Sequence, residues 1–362
     1  MLEIIRKERF LGAGVATSLV FLFFGDWLHR DYSNPLYLTL ILAWLFFVIL
    51  VSVLSVVRHA DHLAERLGEP YGTLVLTLSV TAIEAMSISG VMLHGANNPT
   101  LVRDTLMGVI MIILNGMVGI SLLAGGWRHR EQQYNLQGAN AYLSVIIPLA
   151  VLGLVLPNMT VTTRGPTLSG AQEVFLSLMS ICLYCAFLAI QAGRHRGFFV
   201  LEAEALPHHA KGGPLLKHVL FLAAYMVPVV FLAEQLAPPV DYVIETLNAP
   251  VALGGLAIAV LVATPEAIGA TKAAFQNHLQ RSVNIFLGSV LSTIGLTIPA
   301  MLLIGHLTGH TIYLGVEHGD LVLLLLTLFL SAITFTSGRT NILQGLVHVL
   351  LFVAYLVLIF EA

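Results

Sequence analysis

Two glutamates lie inside apolar runs that are long enough to cross a membrane. Glu84 belongs to the run 72–89 and Glu266 to the run 254–271, and each follows the glycine that opens its run by twelve residues. A charged side chain at the centre of a bilayer costs about 3 kcal/mol on insertion scales, so such residues usually face a cavity and handle ions or protons. We therefore expect this pair to bind ions or protons. The alternative is a structural hydrogen bond within a helical bundle.

Hydroxyl groups accompany both glutamates. Thr81 lies three residues before Glu84 and Ser87 three residues after it, so both share its face of a helix. Thr264 lies two residues before Glu266. We predict that these side chains are supporting ligands for a cation.

Pro265 directly precedes the second glutamate. A proline has no N–H and clashes with the preceding turn, which frees backbone carbonyls such as that of Leu261. Freed carbonyls at membrane depth can coordinate a cation. Pro265 is therefore a second kind of supporting residue.

Paired carboxylates suit one particular chemistry. Hard cations such as Ca2+ prefer oxygen ligands, and two carboxylates neutralise one divalent ion. When the ion leaves, mutual repulsion and desolvation favour proton uptake by the pair. Competition of a cation and protons for the same two groups is the minimal machinery of an antiporter.

The apolar run after each glutamate run carries small and polar residues. Asn115 lies in the first of these runs, and Ser289 and Ser292 lie in the second. We expect these three residues on the ion pathway, with close packing of helices by small residues as the alternative.

The composition predicts the class of the protein. Hydrophobic residues make up 57% of the 362 residues and charged residues only 10%, which excludes an ordinary soluble domain. We predict an all-α polytopic membrane protein whose partners are the lipid bilayer and small cations and protons. The net charge of -3 and the lack of basic runs give no indication of nucleic-acid binding.

With about 20 apolar residues per span, the sequence predicts eleven transmembrane helices at 10–28, 36–57, 71–93, 104–124, 141–161, 171–193, 218–236, 250–271, 282–305, 320–337 and 341–360.

The basic residues predict the orientation of these helices. With a cytoplasmic N-terminus, only Arg30, Arg103 and Arg164 of the 17 basic residues lie on the outer side. Cytoplasmic loops are enriched in Lys and Arg. The bias favours an odd number of spans, with the C-terminus periplasmic or extracellular.

The two glutamates also define a repeat. Glu84 lies on the third predicted span and Glu266 on the eighth, so the two halves cross the membrane in opposite directions. Inverted repeats with a substrate site at the midplane are typical of secondary transporters. The predicted domains are an extra N-terminal helix (1–30), a first five-helix repeat (31–193), a cytoplasmic linker (194–217) and a second five-helix repeat (218–362).

Other residue types give little sign of bound groups. Cys182 and Cys185 are predicted to be small core residues, and not a metal or redox pair. The histidines, including His59 and His62, lack metal-ligand spacing and are expected at the membrane boundary, with a deeper position as the alternative for His306 and His348. No cofactor is predicted, and the sequence leaves the oligomeric state open. The linker is interpreted as a solvated loop, with cation or pH sensing as the alternative.

These features resemble the Ca2+/cation antiporter superfamily, and within it the bacterial ChaA-type Ca2+/H+ antiporters. The resemblance covers nearly the whole chain and includes the run G-S-V-L-S-T-I-G-L-T-I-P at 288–299 and the segment R-D-T-L-M-G-V-I-M-I-I at 103–113. It implies an eleven-helix fold in a bacterial inner membrane and cation binding by Glu84 and Glu266. It also implies cation export driven by inward proton flow.

The sequence departs from that family beside both glutamates. Relatives carry Gly-Asn-Ala there, whereas this chain has Val-Thr-Ala at 80–82 and Val-Ala-Thr at 262–264. Fewer amide oxygens suit an ion that needs fewer ligands. Na+ or K+ is therefore the alternative to Ca2+ as the transported ion.

Two other classes of function compete with an antiporter. An intramembrane enzyme is disfavoured, because no aspartate lies mid-span for an aspartyl protease and no His or Cys lies near Glu84 to bind a catalytic metal. A passive channel is disfavoured, because inverted repeats broken by proline favour alternating access.

Overall fold

The computed structural model describes residues 8–67, 71–94, 98–163, 165–200 and 215–361, and this part of the chain is mostly helical. It contains eleven long helices, which confirms the predicted fold class: α1 (Arg9–Leu28), α2 (Pro35–Leu67), α3 (Tyr71–His94), α4 (Leu101–His129), α5 (Leu136–Asn158), α6 (Gly170–Ala192), α7 (Leu215–Glu245), α8 (Ala252–Phe275), α9 (Leu279–Thr308), α10 (His318–Thr334) and α11 (Ile342–Glu361). Within the described residues, nine of these helices are long and apolar enough to cross a membrane, and α3 and α10 contain shorter apolar stretches.

Three of the helices contain a π-helical segment, where one extra residue bulges out of the helix. Such bulges occur frequently at functional sites. The segments are Ile112–Met117 in α4, Val151–Val155 in α5 and Thr293–Thr297 in α9. The last turn of α5 and a short segment after α6, Arg196–Phe199, are 3-10 helix.

Two helices are much longer than the apolar runs that predicted them. α2 has 33 residues and α7 has 31. At a rise of 1.5 Å per residue each is about 45 to 50 Å long, against about 30 Å for the hydrocarbon core. Both helices therefore extend beyond the membrane interior, where their ends can carry polar side chains.

The chain packs as two compact units that do not follow the predicted repeats. The first unit contains residues 1–98 and 209–262, and the second contains residues 99–208 and 263–362. The boundary falls within α8, and each unit draws on both predicted halves. The domain limits derived from the repeat remain a prediction, and residues 201–214 of the predicted linker lie outside the described residues.

The core of the first unit is formed by α1, α2, α3 and α7. Gly14 of α1 lies where these helices approach closely, since a Cβ there would be 3.2 Å from Ser52 Oγ of α2 and 3.4 Å from Pro228 of α7. Ile83 of α3 is buried in the same apolar cluster as Tyr225 of α7. This packing fixes the face of α3 next to Glu84.

The second unit is held together by close packing of α4 against α11. A Cβ on Gly119 would lie 2.7 Å from Val349 Cγ2 and 3.0 Å from the carbonyl oxygen of Gly345. The loops at the same end of these helices pair as two short antiparallel strands, β1 (Gln132–Gln133) and β2 (Arg339–Thr340). Glycines thus let the two helices approach at backbone distance, as expected inside a membrane.

Tyr134 connects the strand pair to α10. Its hydroxyl donates to the carbonyl of Thr334 at 3.2 Å and accepts from the N–H of Gly338 at 3.1 Å. Burial raises the pKa of Tyr134, so the phenol keeps its proton at neutral pH.

The predicted position of the two cysteines is wrong. Cys182 and Cys185 are both exposed on α6, alongside exposed Val174 and Leu178. Hydrophobic side chains face the lipid as readily as the protein core, so apolar character does not predict burial in a membrane protein. The thiols behave here as small apolar side chains on an outer surface.

Candidate cation site

Glu84 lies in the middle of α3 and is 1% exposed. The flanking Ile83 and Ile88 are also fully buried. Burying an ionised carboxylate is very costly unless a partner or a cation neutralises it. The position therefore suits a group that is charged while a cation is bound and protonated when the cation is absent.

The hydroxyls near Glu84 fall into two groups. Ser79 and Ser89 each donate to a carbonyl one turn back in their own helix, both at 2.6 Å. Thr81 Oγ1 is buried and makes no hydrogen bond to the described residues, and Ser87 is buried as well. Thr81 thus has a hydroxyl group, one turn before the carboxylate, that does not donate to a carbonyl of its own helix.

Glu266 belongs to the second unit and is half-buried on α8. The hydroxyl of Ser289, on α9, donates a short hydrogen bond to Glu266 Oε2. α8 continues through Pro265, which is buried and cannot donate to the carbonyl of Leu261. Thr264 is half-buried one residue earlier. The structure therefore joins the predicted Ser289 to the predicted Glu266.

Ser292 has a different environment from Ser289. Its hydroxyl donates to the carbonyl of Ser289 at 2.8 Å, within α9. Two turns before Ser289, towards the start of α9, the hydroxyl of Ser282 donates to the carbonyl of Ala270 on α8 at 2.6 Å. This second contact fixes α9 against α8 beside the carboxylate.

Asn115 lies in the π-helical segment of α4, in a fully buried polar network. Its Nδ2 donates to Thr327 Oγ1 of α10 at 2.7 Å, and its Oδ1 lies 3.2 Å from Nδ1 of His348 on α11. Nε2 of the same histidine lies 2.9 Å from Thr334 Oγ1. One assignment satisfies every atom: Nδ1–H of His348 donates to Asn115, and the hydroxyl of Thr334 donates to Nε2. Both ends of the Asn115 amide are thus engaged within the second unit, and its predicted place on the ion pathway stays a prediction.

The helices that follow the two glutamates share a structural irregularity. Ile112 begins the π-helical segment of α4, 28 positions after Glu84, and Thr293 begins that of α9, 27 positions after Glu266. Two halves with unrelated folds would not be expected to bulge at the same place. The matching positions of the two π-helical segments therefore support the inverted repeat independently of the sequence pattern.

The family to which this arrangement belongs follows from comparison with known proteins. The model of the sodium/calcium exchanger protein family matches residues 37–193 and 217–361. The chain belongs to this family. The predicted resemblance to the Ca2+/cation antiporter superfamily is thereby confirmed, and this exchanger is a multi-pass membrane transporter and not an enzyme.

Individual relatives agree with the assignment. The exchanger is 42% identical over 319 residues to the sodium-potassium/proton antiporter ChaA of Escherichia coli (strain K12), covering 86% of each chain. It is 22% identical over 312 residues to the Ca2+/H+ antiporter ChaA of Bacillus subtilis (strain 168), covering 84% of this chain and 88% of the relative.

Solved structures show the same fold. The exchanger superposes on native YfkE with a TM-score of 0.76 at 20% identity, covering 98% of this chain and 99% of the other. It superposes on the H+/Ca2+ exchanger CAX with a TM-score of 0.65 at 13% identity, covering 97% and 88%.

Glu234 is an intramembrane acid of the exchanger that the sequence predictions leave out. It is half-buried on α7 and packs on α3, where a Cβ on Gly90 would lie 2.9 Å from Glu234 Cγ. The residue falls inside the predicted span 218–236, so the criterion that identifies Glu84, an acid within an apolar run, also applies to it.

Arg103 has a structural role at the start of α4. It is 7% exposed and donates to Asp104 Oδ1 at 2.8 Å and to Glu317 Oε1 at 3.1 Å. A buried arginine in such a pair no longer acts as a free positive charge. The pairing explains how one basic residue is tolerated on the side of the exchanger predicted to be outer.

Proposed function

We propose that this chain is a secondary active cation/proton antiporter in which Glu84 and Glu266 bind the transported cation and protons in turn. The observation that carries the proposal is the burial of Glu84, which is 1% exposed on an apolar helix of a sodium/calcium exchanger family member. A carboxylate in that position needs a compensating cation or a proton. Alternation between the two is coupled exchange.

The remaining ligands are proposed from the groups around each glutamate. Thr81 and Ser87 support Glu84, while Ser289 orients Glu266 through its hydrogen bond. The carbonyl freed by Pro265 and the hydroxyl of Thr264 add oxygen atoms beside the second carboxylate, and Ser292 and Asn115 line the pathway. Only oxygen ligands are required, which matches the preference of hard cations.

Ca2+ is the proposed main cation, because two carboxylates balance its charge. Na+ or K+ is a second candidate, favoured by the 42% identity to a relative named as a sodium-potassium/proton antiporter. The lack of asparagine beside either glutamate also favours it, since few amide oxygens are available there.

The proposed location is a bacterial inner membrane with the N-terminus cytoplasmic and the C-terminus outside. The bias of basic residues towards one side supports this orientation. In it, protons entering the cell drive the cation outwards.

Everted membrane vesicles with a pre-set pH gradient test the exchange. Adding Ca2+, Na+ or K+ in turn is expected to collapse the gradient for the ions that are transported. Glu84→Gln and Glu266→Gln keep the shape of the side chain but remove its charge. Each is expected to lower the initial rate by about tenfold or more, because one of two charged ligands is lost.

Glu131→Gln is the matched control, because that glutamate is 65% exposed at the surface and its ion pair with Arg339 contributes little. It should exchange like the wild type. Immunoblots should show equal amounts of all variants in the membrane. Wild-type exchange by either buried variant would refute the proposal, and cation movement without counter-flow of protons would indicate a channel.

A further inference from the structure

Three histidines meet where the end of α2 packs against the beginning of α7, within the first unit. His59 and His62 are three residues apart on α2 and share one face of it. His218 of α7 lies between them: its Nδ1 is 3.0 Å from Nδ1 of His59, and its ring centroid is 5.0 Å from that of His62. In the proposed orientation this end of the unit is cytoplasmic.

Glu8 connects the group to the start of α1. Its Oε2 lies 3.3 Å from His59 Nε2 and accepts hydrogen bonds from Arg58 at 2.7 Å and from the hydroxyl of Tyr225 at 3.1 Å. His59 is 2% exposed, whereas His62 is exposed and His218 is half-buried. Protons from the solution therefore reach the group through its outer members.

The contact between His59 and His218 fixes how many protons the pair can hold. Two Nδ1 atoms at 3.0 Å form a hydrogen bond only if one carries a proton and the other does not. With Nε2–H of His59 directed at Glu8, the neutral pair has His218 as donor and His59 as acceptor. One added proton is tolerated, because Glu8 balances its charge. A second places two N–H groups and two positive charges face to face, so the rings must separate.

The surrounding charges make a second proton still less favourable. Arg58 and Arg66 of α2 and Lys217 of α7 are already positive, and the charges of Arg66 and Lys217 act on His218. Among the side chains that the structure describes at this end, the acids are Glu8 and the exposed Asp61. Each protonated histidine therefore adds positive charge to helices that already carry Arg58, Arg66 and Lys217.

We propose that His59, His62 and His218 form a proton-binding site, separate from the transport glutamates, whose occupancy controls the packing of α2 against α7. Both helices pack on α3, which carries Glu84. Separating them at this end changes the surroundings of the helix that carries the transported ion. Exchange then stops when the cytoplasmic side becomes acidic, which limits proton import. The proposal rests on the antiporter function proposed above.

Uptake of labelled Ca2+ into everted vesicles tests the site, with labelled Na+ used if that is the transported ion. Such vesicles place the cytoplasmic face outside, where the pH can be varied. The wild-type rate is expected to fall only when the external pH drops below the usual titration range of histidine, because burial lowers the pKa of His59 and of His218. His218→Gln and His59→Gln, which cannot take up a proton, should keep their rate to roughly one pH unit lower.

His195→Gln is the matched control, because His195 is exposed on the predicted cytoplasmic side but belongs to the second unit. Its exchange rate should fall over the same range of acidic pH as that of the wild type. His62→Gln tests the same site at an exposed position that does not disturb the buried contact. Like His218→Gln and His59→Gln, it should keep its exchange rate to a lower pH than the wild type. All variants meet the same pH gradient, so differences between their profiles report on the site.

The proposal is overturned if His218→Gln, His59→Gln and His62→Gln all follow the wild-type profile while the wild type exchanges normally. That result leaves the antiporter function intact. If instead Glu84→Gln and Glu266→Gln exchange like the wild type, the proposed function itself fails, whatever the histidine variants do.

Discussion

Ser289 is the side chain that orients Glu266. It donates a hydrogen bond to the carboxylate from the neighbouring helix. A hydroxyl that donates to a carboxylate favours its charged form, which is the form that binds a cation. Ser289 therefore holds Glu266 ready for the ion.

Ser289→Ala tests this role. A hydrogen bond to a charged group contributes about 1.5 to 3 kcal/mol, so the concentration of cation needed for half-maximal exchange should rise about tenfold or more. The maximal rate should change less. Ser282→Ala removes a hydroxyl from the same helix that bonds only the carbonyl of Ala270, and its cation dependence should stay near that of the wild type. Equal cation dependence in both variants would count against the role of Ser289.

Single residues differ in how far the sequence predicts them. Glu84 and Glu266 stand out because a charge in an apolar run is costly wherever the run folds. The bond between Asn115 and His348 joins residues 233 positions apart, and no local pattern relates them. Only the packing of α4 against α11 brings them together.

Helices α4 and α11 owe their close approach to glycine. At Gly119 a methyl group would meet both a side chain and the backbone of α11 within 3 Å, and backbone atoms cannot move aside cheaply. This contact also keeps His348 at hydrogen-bonding distance from the π-helical segment of α4. The close packing of α4 against α11 and the hydrogen bond between Asn115 and His348 therefore depend on each other.

Gly119→Ala is expected to destabilise the purified protein by about 1 to 3 kcal/mol, the usual cost of overpacking a core. Thermal unfolding in detergent would show this as a lower midpoint. Gly12→Ala on α1 is the control, since nothing lies within 4 Å of a Cβ there and alanine favours helix by up to about 1 kcal/mol. If the Gly119 variant is as stable as this control, α11 can move aside to make room for the methyl group, and the prediction is wrong.

Elements are predicted better than their limits. Hydropathy finds all eleven helices because each contains an apolar stretch, although those of α3 and α10 are shorter than the other nine. It underestimates α2 and α7, whose extra turns carry polar residues such as His59 and Glu245 outside that stretch. The π-helical segments have no signal of their own in the hydropathy, because a bulge changes the hydrogen-bond pattern of the backbone and not the apolar character of the helix.

Orientation belongs to the whole molecule. In a variant with both native cysteines replaced by alanine, Ser33→Cys places a thiol in the exposed loop before α2, and Gly197→Cys places one in the exposed segment after α6. A membrane-impermeant maleimide should label the first in intact cells and the second only after permeabilisation. The reverse pattern would invert the proposed topology and move the histidine site to the outer face.

The division into two units is the feature that sequence reasoning reaches least. A repeat is visible as two glutamates at matching positions, whereas a unit is defined by which helices touch. The first unit combines α1, α2 and α3 with α7, and nothing in the order of the chain indicates that partnership.

This partnership also constrains how the protein is made. Between Asn98 and His209 the chain contributes only to the second unit. At roughly 5 to 20 residues per second, a ribosome needs on the order of ten seconds to synthesise that stretch. During this interval α3, which carries Glu84, lacks the helix α7 against which it packs in the folded protein, so the first unit completes its packing only after most of the chain has been made.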